Sequence, residues 1–186
     1  ATDIRRVCIP KPEGGERPLG ILALEDKIVQ KAVAKIFDAI YEQDFLDDSY
    51  GFRAKRNCHD ALKAVELGIM KRGVNYLLDV EIKGYFDTIN HTWLMKMLRE
   101  RIADRTILRL IGKWLRVGIL EEGRRRYNEL GVPQGGVISP ILANIYLHYA
   151  LALWVKRVIG KEISGRIYLV RYCDDSAPQA HKEVLR

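Results

Sequence analysis

The chain has little that would tie it to an oxidising compartment, a membrane or a zinc site. Its three cysteines, Cys8, Cys58 and Cys173, are an odd number with no Cys-x-x-Cys spacing and no Cys/His ligand pairing, so neither a disulfide framework nor a zinc finger is supported. No secretory signal opens the sequence. The most apolar stretch, Ile141 to Val155, is shorter than a bilayer span and carries His148. There is no internal repeat, low-complexity tract or Gly/Ser/Pro-rich linker. A reduced, cytoplasmic location without membrane contact is the expectation.

What is present is a basic, well-patterned chain. Its 186 residues are 48% hydrophobic and 30% charged, with 31 Lys and Arg against 24 Asp and Glu for a net charge of +7. That composition is ordinary for a folded domain, and the charge favours a polyanionic partner, because each neutralised phosphate releases counterions. Ile4 to Leu22 reads as two strands around Gly14-Gly15. A helix is expected from Glu25 to Tyr41, burying Ile28, Val29, Ala32, Val33, Ile36, Phe37 and Ile40. A second runs from an Asn57 cap to Gly73, burying Ala61, Leu62, Val65 and Ile69. Tyr76 to Ile82 is β-type, and one long helix is expected from Thr92 to Val117. After a basic loop at Arg124-Arg125-Arg126, a helix capped by Ser139 with Pro140 at its first position carries Ile141, Leu142, Ile145, Tyr146, Tyr149, Leu153 and Trp154 inward. Ile167 to Cys173 is a strand that delivers Asp174-Asp175 to a turn. Such irregular interleaving implies an α+β fold, with helices packed on a mostly antiparallel sheet.

Two acidic clusters, Asp79-Val80-Glu81 and Asp174-Asp175, fall at strand ends. Alternate strand residues share a face, so neighbouring strands would bring three or four carboxylates together. Carboxylates that close repel unless a hard divalent cation sits among them, and an all-oxygen set suits Mg²⁺.

In sequence order, several blocks resemble the group II intron type of reverse transcriptase. Tyr172-Cys173-Asp174-Asp175 resembles the Tyr-x-Asp-Asp box. Leu78 to Asp87, with Thr88-Ile89-Asn90-His91, resembles the motif before it that carries a metal-binding acid. The segment from Gly131-Val132-Pro133-Gln134-Gly135-Gly136 through Ser139-Pro140 to Leu147 resembles the nucleotide-pocket motif. Ile9-Pro10-Lys11-Pro12 with Arg17-Pro18-Leu19-Gly20-Ile21 is similar to the fingers hairpin. Tyr50-Gly51-Phe52-Arg53, with His59-Asp60-Ala61-Leu62, is similar to the block that follows it.

The resemblance implies the fingers and palm of a right-hand polymerase, with a fingers-type region over 1–75, a palm-type region over 76–186 and the two forming one compact unit. It implies RNA-directed DNA synthesis by two-metal nucleotidyl transfer, with two Mg²⁺ (or Mn²⁺) ions held by Glu81, Asp174 and Asp175. Lys11 and Arg17 would hold the triphosphate, Gln134 would line the nucleotide pocket, and Phe86 would sit under the deoxyribose. The implied partners are an RNA template, a DNA or RNA primer and dNTPs, with intron RNA and a second copy of the chain as further candidates.

Two departures stand out. The family's aspartate falls on Glu81, so either Glu81 is the ligand or Asp79 shares the role. After Asp175 the chain reads Ser176-Ala177-Pro178-Gln179, where the proline argues against a ladder strand. The chain is therefore expected to be cut short after the Tyr-x-Asp-Asp box, without a thumb. An alternative function follows: a maturase-like module that binds RNA through Arg53, Lys55, Arg56 and Arg124 to Arg126 without polymerising. A weaker one is a remnant that only self-associates.

Overall fold

The computed structural model describes residues 2–10, 16–121, 124–126, 130–133, 135–163 and 165–180. It divides into two units, Ala1–Ile40 with Gly84–Ile145, and Tyr41–Lys83 with Tyr146–Arg186.

The first unit holds a four-stranded sheet ordered β2-β1-β5-β6, made from β1 (Ile4–Pro10), β2 (Glu16–Ile21), β5 (Ile119–Glu121) and β6 (Arg124–Arg126). β1 and β2 form the expected antiparallel pair, from Arg5 opposite Ile21 to Pro10 opposite Glu16. The basic segment Arg124–Arg126 is not a loop; it pairs with β5, and β5 joins β1 in parallel at Ile4–Ile119.

Around this sheet lie α1 (Leu24–Tyr41), the short α3 (Tyr85–Thr88), α4 (His91–Arg99), α5 (Arg105–Leu115) and α6 (Ser139–Leu147). The long helix expected from Thr92 to Val117 is two helices, each with its own cap. Asn90 accepts from the Trp93 amide, and Asp104 accepts from the amides of Thr106 and Ile107. A side-chain acceptor at the free N–H groups is worth about 1 kcal/mol, and Asp104 therefore starts a new helix although the apolar period runs on. The apolar period of this stretch puts Leu94, Met97, Leu98, Ile102, Leu108, Ile111 and Leu115 on the inner side, and all are buried except Met97, which is half-buried.

The buried stripe of α1 is Gln30, Val33, Ala34, Phe37 and Tyr41, whereas Ile28, Val29 and Ile36 are exposed. Apolar residues cover most of that helix's circumference, with Lys27, Lys31, Lys35 and Asp38 marking the polar side, so periodicity alone could not choose the inner face among them.

The second unit is built on an antiparallel sheet of β3 (Tyr76–Leu77), β4 (Val80–Glu81), β7 (Ile167–Tyr172) and β8 (Asp175–Ala180). β8 lies between β7 on one side and β3 and β4 on the other. A strand therefore does follow the Asp-Asp pair, contrary to the expectation from Pro178. The register explains how the proline is tolerated. Tyr76 faces Ala180, Leu77 faces Gln179, Val80 faces Ser176 and Glu81 faces Asp175, so the unpaired Leu78 and Asp79 lie across from Pro178 and Ala177. The ladder is interrupted where the chain has no N–H to give.

Below the sheet, α2 (Cys58–Lys71) begins in a full capping box between Asn57 and Asp60 and ends with Gly73 in the left-handed region. Ala61 and Gly68 are its buried residues, while Leu62 and Ile69 are exposed. Residues His148–Ala152 and Val155–Ile159 are π-helical, followed by α7 (Gly160–Glu162). Ala152, Val155 and Leu169 form a core cluster against Leu46, Leu151 and Ile167, and Trp154, expected inside, is exposed. Among the described residues no helix is long and apolar enough to cross a membrane.

Candidate active site

Two of the sequence-predicted carboxylate positions meet in the second unit. β7 and β8 are joined by Cys173 and Asp174 alone, since Tyr172 pairs with Asp175. Only the first of these loop residues has positive φ (Cys173, 59°), the pattern of a type II′ hairpin turn, where glycine is the usual occupant. On the other side of β8, Glu81 is the direct partner of Asp175. Glu81, Asp175 and Asp174, next to it in the turn, are thus gathered by a single hairpin and one neighbouring strand. Asp79 is exposed in the gap between β3 and β4, two positions from Glu81.

The donor set fits a hard divalent cation, being carboxylate oxygen throughout. Among the described residues no three His, Cys, Asp or Glu side chains converge tightly enough to hold a metal, and the side chain of Asp175 lies outside those described.

The turn is held from behind by the segment Asp48 to Gly51. The Arg171 amide donates to the Asp48 carbonyl and the Tyr50 amide to the Arg171 carbonyl, both at 2.8 Å, with Ser49 bridging Arg171 in parallel. The Arg171 side chain, almost wholly buried, donates through Nη1 to the Cys173 carbonyl at 2.7 Å and through Nη2 to the Ser49 hydroxyl. Gly51 lies against the turn itself: a Cβ there would come within 2.9 Å of Cys173 Cα and closer still to its amide nitrogen.

Arg53, expected on an RNA-binding surface, is instead buried beneath this segment. It pairs with both oxygens of Glu42 (3.0 and 2.7 Å), donates to the carbonyls of Leu46 and Ser49, and lies over the Phe45 ring. Arg56 is likewise committed, to Asp47 and to the face of Tyr50. Phe45 in turn meets the edge of buried His148. Burial holds the His148 imidazole below its ordinary pKa and pushes the Asp48 carboxyl above its own.

Segments flanking the expected nucleotide-pocket residues meet in the first unit. Val132 donates to the Phe86 carbonyl at 2.7 Å, Gly131 to the Ile89 carbonyl at 2.8 Å, and His91 Nε2 to the Gly131 carbonyl at 2.6 Å. Gly131, at φ 88°, packs so closely on Phe86 and Asp87 that any Cβ would fall 2.9 Å from their backbone. Phe86 is half-buried, edge-on to Tyr85, whose hydroxyl donates to the Ala143 carbonyl. Gly135 (φ 93°) lies against Gly20 and Leu19 of β2, three residues or fewer along the chain from Arg17.

Ser139 is the first residue of α6 rather than its cap: its hydroxyl donates to the Pro133 carbonyl at 2.8 Å and closes the loop. The cap-like acceptor is Gln30 of α1, buried, whose Oε1 takes the Ile138 amide. A polar residue inside an apolar helical stripe was the signal that could have found it. Lys11, Gln134 and the side chain of Arg17 lie outside the described residues.

Comparison with known proteins agrees with this arrangement. Residues 9–180 match the family model for reverse transcriptase (RNA-dependent DNA polymerase). Protein YkfC of Escherichia coli K12 is 44% identical over 168 residues, covering 88% of this chain and 44% of that protein. The group II intron-encoded protein LtrA of Lactococcus lactis is 43% identical over 169 residues, covering 88% of this chain and 28% of that protein. The chain thus spans less than half the length of either relative. In fold it is similar to a telomerase from Candida albicans, solved with a fragment of telomeric RNA, with a TM-score of 0.68 at 13% identity over 96% of this chain and 38% of that one. With the motif order, the hairpin turn and a family match over nearly its whole length, the chain belongs to the reverse transcriptase family, and the relatives it resembles in sequence include group II intron-encoded members.

Proposed function

We propose that this chain is the fingers-and-palm core of an RNA-directed DNA polymerase, with a fingers-type region over 1–75 and a palm-type region over 76–186. The observation that carries the reading is the register of β4 and β8, which sets Glu81 opposite Asp175 beside the Cys173–Asp174 turn. Glu81, Asp174 and Asp175 would hold Mg²⁺, with Asp79 as the nearest further carboxylate. When bound, such ions lower the pKa of an attacking hydroxyl and neutralise charge on a transferring phosphoryl group. The chain's own residues do the rest. Lys11 and Arg17 hold the triphosphate of the incoming dNTP, Arg17 being suited to bidentate phosphate contact. Gln134 and Phe86 bound the nucleotide and its sugar, on a frame tied together by the hydrogen bonds of Val132 to α3 and of Gly131 to Ile89 just beyond it. RNA serves as template, with a DNA or RNA primer.

A specific observation favours a second reading, an RNA-binding module that does not polymerise: Glu81 stands where the family has an aspartate. Its extra methylene displaces the carboxylate by about one bond length, against a catalytic tolerance of about 0.5 Å. Primer extension on an RNA template with dNTPs and Mg²⁺, beside Asp174→Ala, separates the two. Extension that Asp174→Ala abolishes supports the polymerase. RNA binding without extension, unchanged by Asp174→Ala and with no gain from Glu81→Asp, supports the second.

A further inference from the structure

Of the basic residues expected to bind RNA in the second unit, Arg53 and Arg56 are paired with Glu42 and Asp47, and only Lys55 is exposed. The charge is concentrated elsewhere. His91 to Arg116 contains seven Lys and Arg against two acidic residues, so five of the chain's seven net positive charges fall on α4, α5 and their connection. These two helices pack together and leave an open cleft of about 640 Å³ between them. Its rim carries Lys96, Arg99, Arg105, Arg109 and Arg116, and no acidic residue lines it. None of the five is in an ion pair with a described carboxylate.

The cations are ordered. Arg105, Arg109, Gly112 and Arg116 recur at spacings of four, three and four, which puts them on one stripe of α5. The stripe is about 16 Å long at a rise of about 1.5 Å per residue, long enough for several successive phosphates. Gly112 keeps the middle of the cleft open, for the buried floor there has no side chain of its own. Arg116 is fixed over it, its Nε donating to the Gly112 carbonyl at 2.9 Å. Arg105 and Arg109, at i and i+4, repel weakly in the absence of an anion, and a bound anion would remove that repulsion. The lining contains no Phe, Tyr or Trp, and its one aromatic ring, His91, is held to the Gly131 carbonyl, which points to backbone contact that is blind to sequence.

We infer that the α4–α5 cleft is a phosphate-backbone binding site for an RNA strand, built from none of the residues of the carboxylate hairpin. That the polyanion is RNA rests on the proposed function; the cleft and its charge do not. The test uses a fluorescein-labelled single-stranded RNA 20-mer of mixed sequence, titrated with the intact chain at several salt concentrations. Arg105→Gln/Arg109→Gln is expected to weaken binding about tenfold and to reduce the slope of log affinity against log salt by about 0.7 for each phosphate no longer neutralised, with no fall in melting temperature. The control pair Lys31→Gln/Lys35→Gln, exposed on α1, removes the same charge and is expected to change neither by more than twofold. Unchanged affinity and slope in the cleft variant, an equal loss in the control pair, or competition by poly-glutamate as effective as by unlabelled RNA would each overturn the assignment. If the double variant melts without cooperativity, Arg105→Gln alone, in the exposed first turn of α5, carries the test. Loss of primer extension with cleft binding intact sinks the polymerase reading only; intact extension with RNA affinity indifferent to Arg105 and Arg109 sinks the cleft only.

Discussion

Gly51→Ala should slow catalysis without loosening RNA. Gly51 has an ordinary negative φ, so space and not backbone strain demands glycine. A methyl group there meets Cys173 Cα at 2.9 Å and its amide nitrogen closer still, while ordinary contact begins at 3.4 Å. At least half an ångström of movement is therefore needed, and more to clear the nitrogen. The strip cannot supply it cheaply, because Asp48, Ser49 and Tyr50 are tied to Arg171 by backbone hydrogen bonds. The turn carrying Asp174, held there by the Arg171 side chain on the Cys173 carbonyl and not by a backbone ladder to the strip, is the part that gives. Catalytic groups tolerate displacement of about 0.5 Å, and a misplacement of about 1 Å costs about 100-fold. We expect single-turnover primer extension to fall 10- to 100-fold, with RNA affinity unchanged and a stability loss of about 1–3 kcal/mol from overpacking. An extension rate within twofold of the parent, from a variant that melts cooperatively, would show that the Gly51–Cys173 contact does not position the turn.

Other outcomes follow from the same frame. Arg53→Met should destabilise the chain by about 2–3 kcal/mol in urea, because it strips the buried Ser49 carbonyl and the half-buried Leu46 carbonyl of a charged donor; RNA affinity measured well below the melting transition should not change. His148 is held neutral by burial, so the unfolded chain binds more protons than the folded one below the ordinary imidazole pKa of 6.5. Stability should therefore drop as pH falls through that value, and the urea midpoint of His148→Gln should lose this dependence. Phe86→Ala should let ribonucleotides compete with dNTPs in extension assays; incorporation ratios identical to the parent would make Phe86 a packing residue only.

The sequence was most informative where a residue's chemistry is local or intrinsic. The Asn57–Asp60 capping box and the Gly73 terminator of α2 act within one turn, and both stand where expected. The apolar strand Ile167 to Tyr172 and the turn after it were legible for the same reason. Patterns failed where two structures share one period. Leu98, Ile102 and Leu108 continue an apolar face across a break that only the Asp104 cap creates, and α1 offers two apolar faces of which Gln30 marks the inner.

The candidate site divides along similar lines. Acidic pairs and a Pro-Gln-Gly loop announce themselves, because few residue types can do what they do. Their supports do not. Gly51, Ser49 and Arg171 are common residues, and an arginine in a sequence reads as solvated until a structure removes its water. Arg171 can bind the Cys173 carbonyl only because residues 48–50 lie along β7, a pairing across more than 120 positions that no local pattern contains. The same holds for Arg105, Arg109 and Arg116: spaced along one helix they look like any solvated face, and only the packing of α4 against α5 turns them into the wall of a cleft. Which arginines are structural and which are free to meet a phosphate is thus decided by tertiary contact, and for this chain the answer exchanges Arg53 and Arg56 for the stripe on α5.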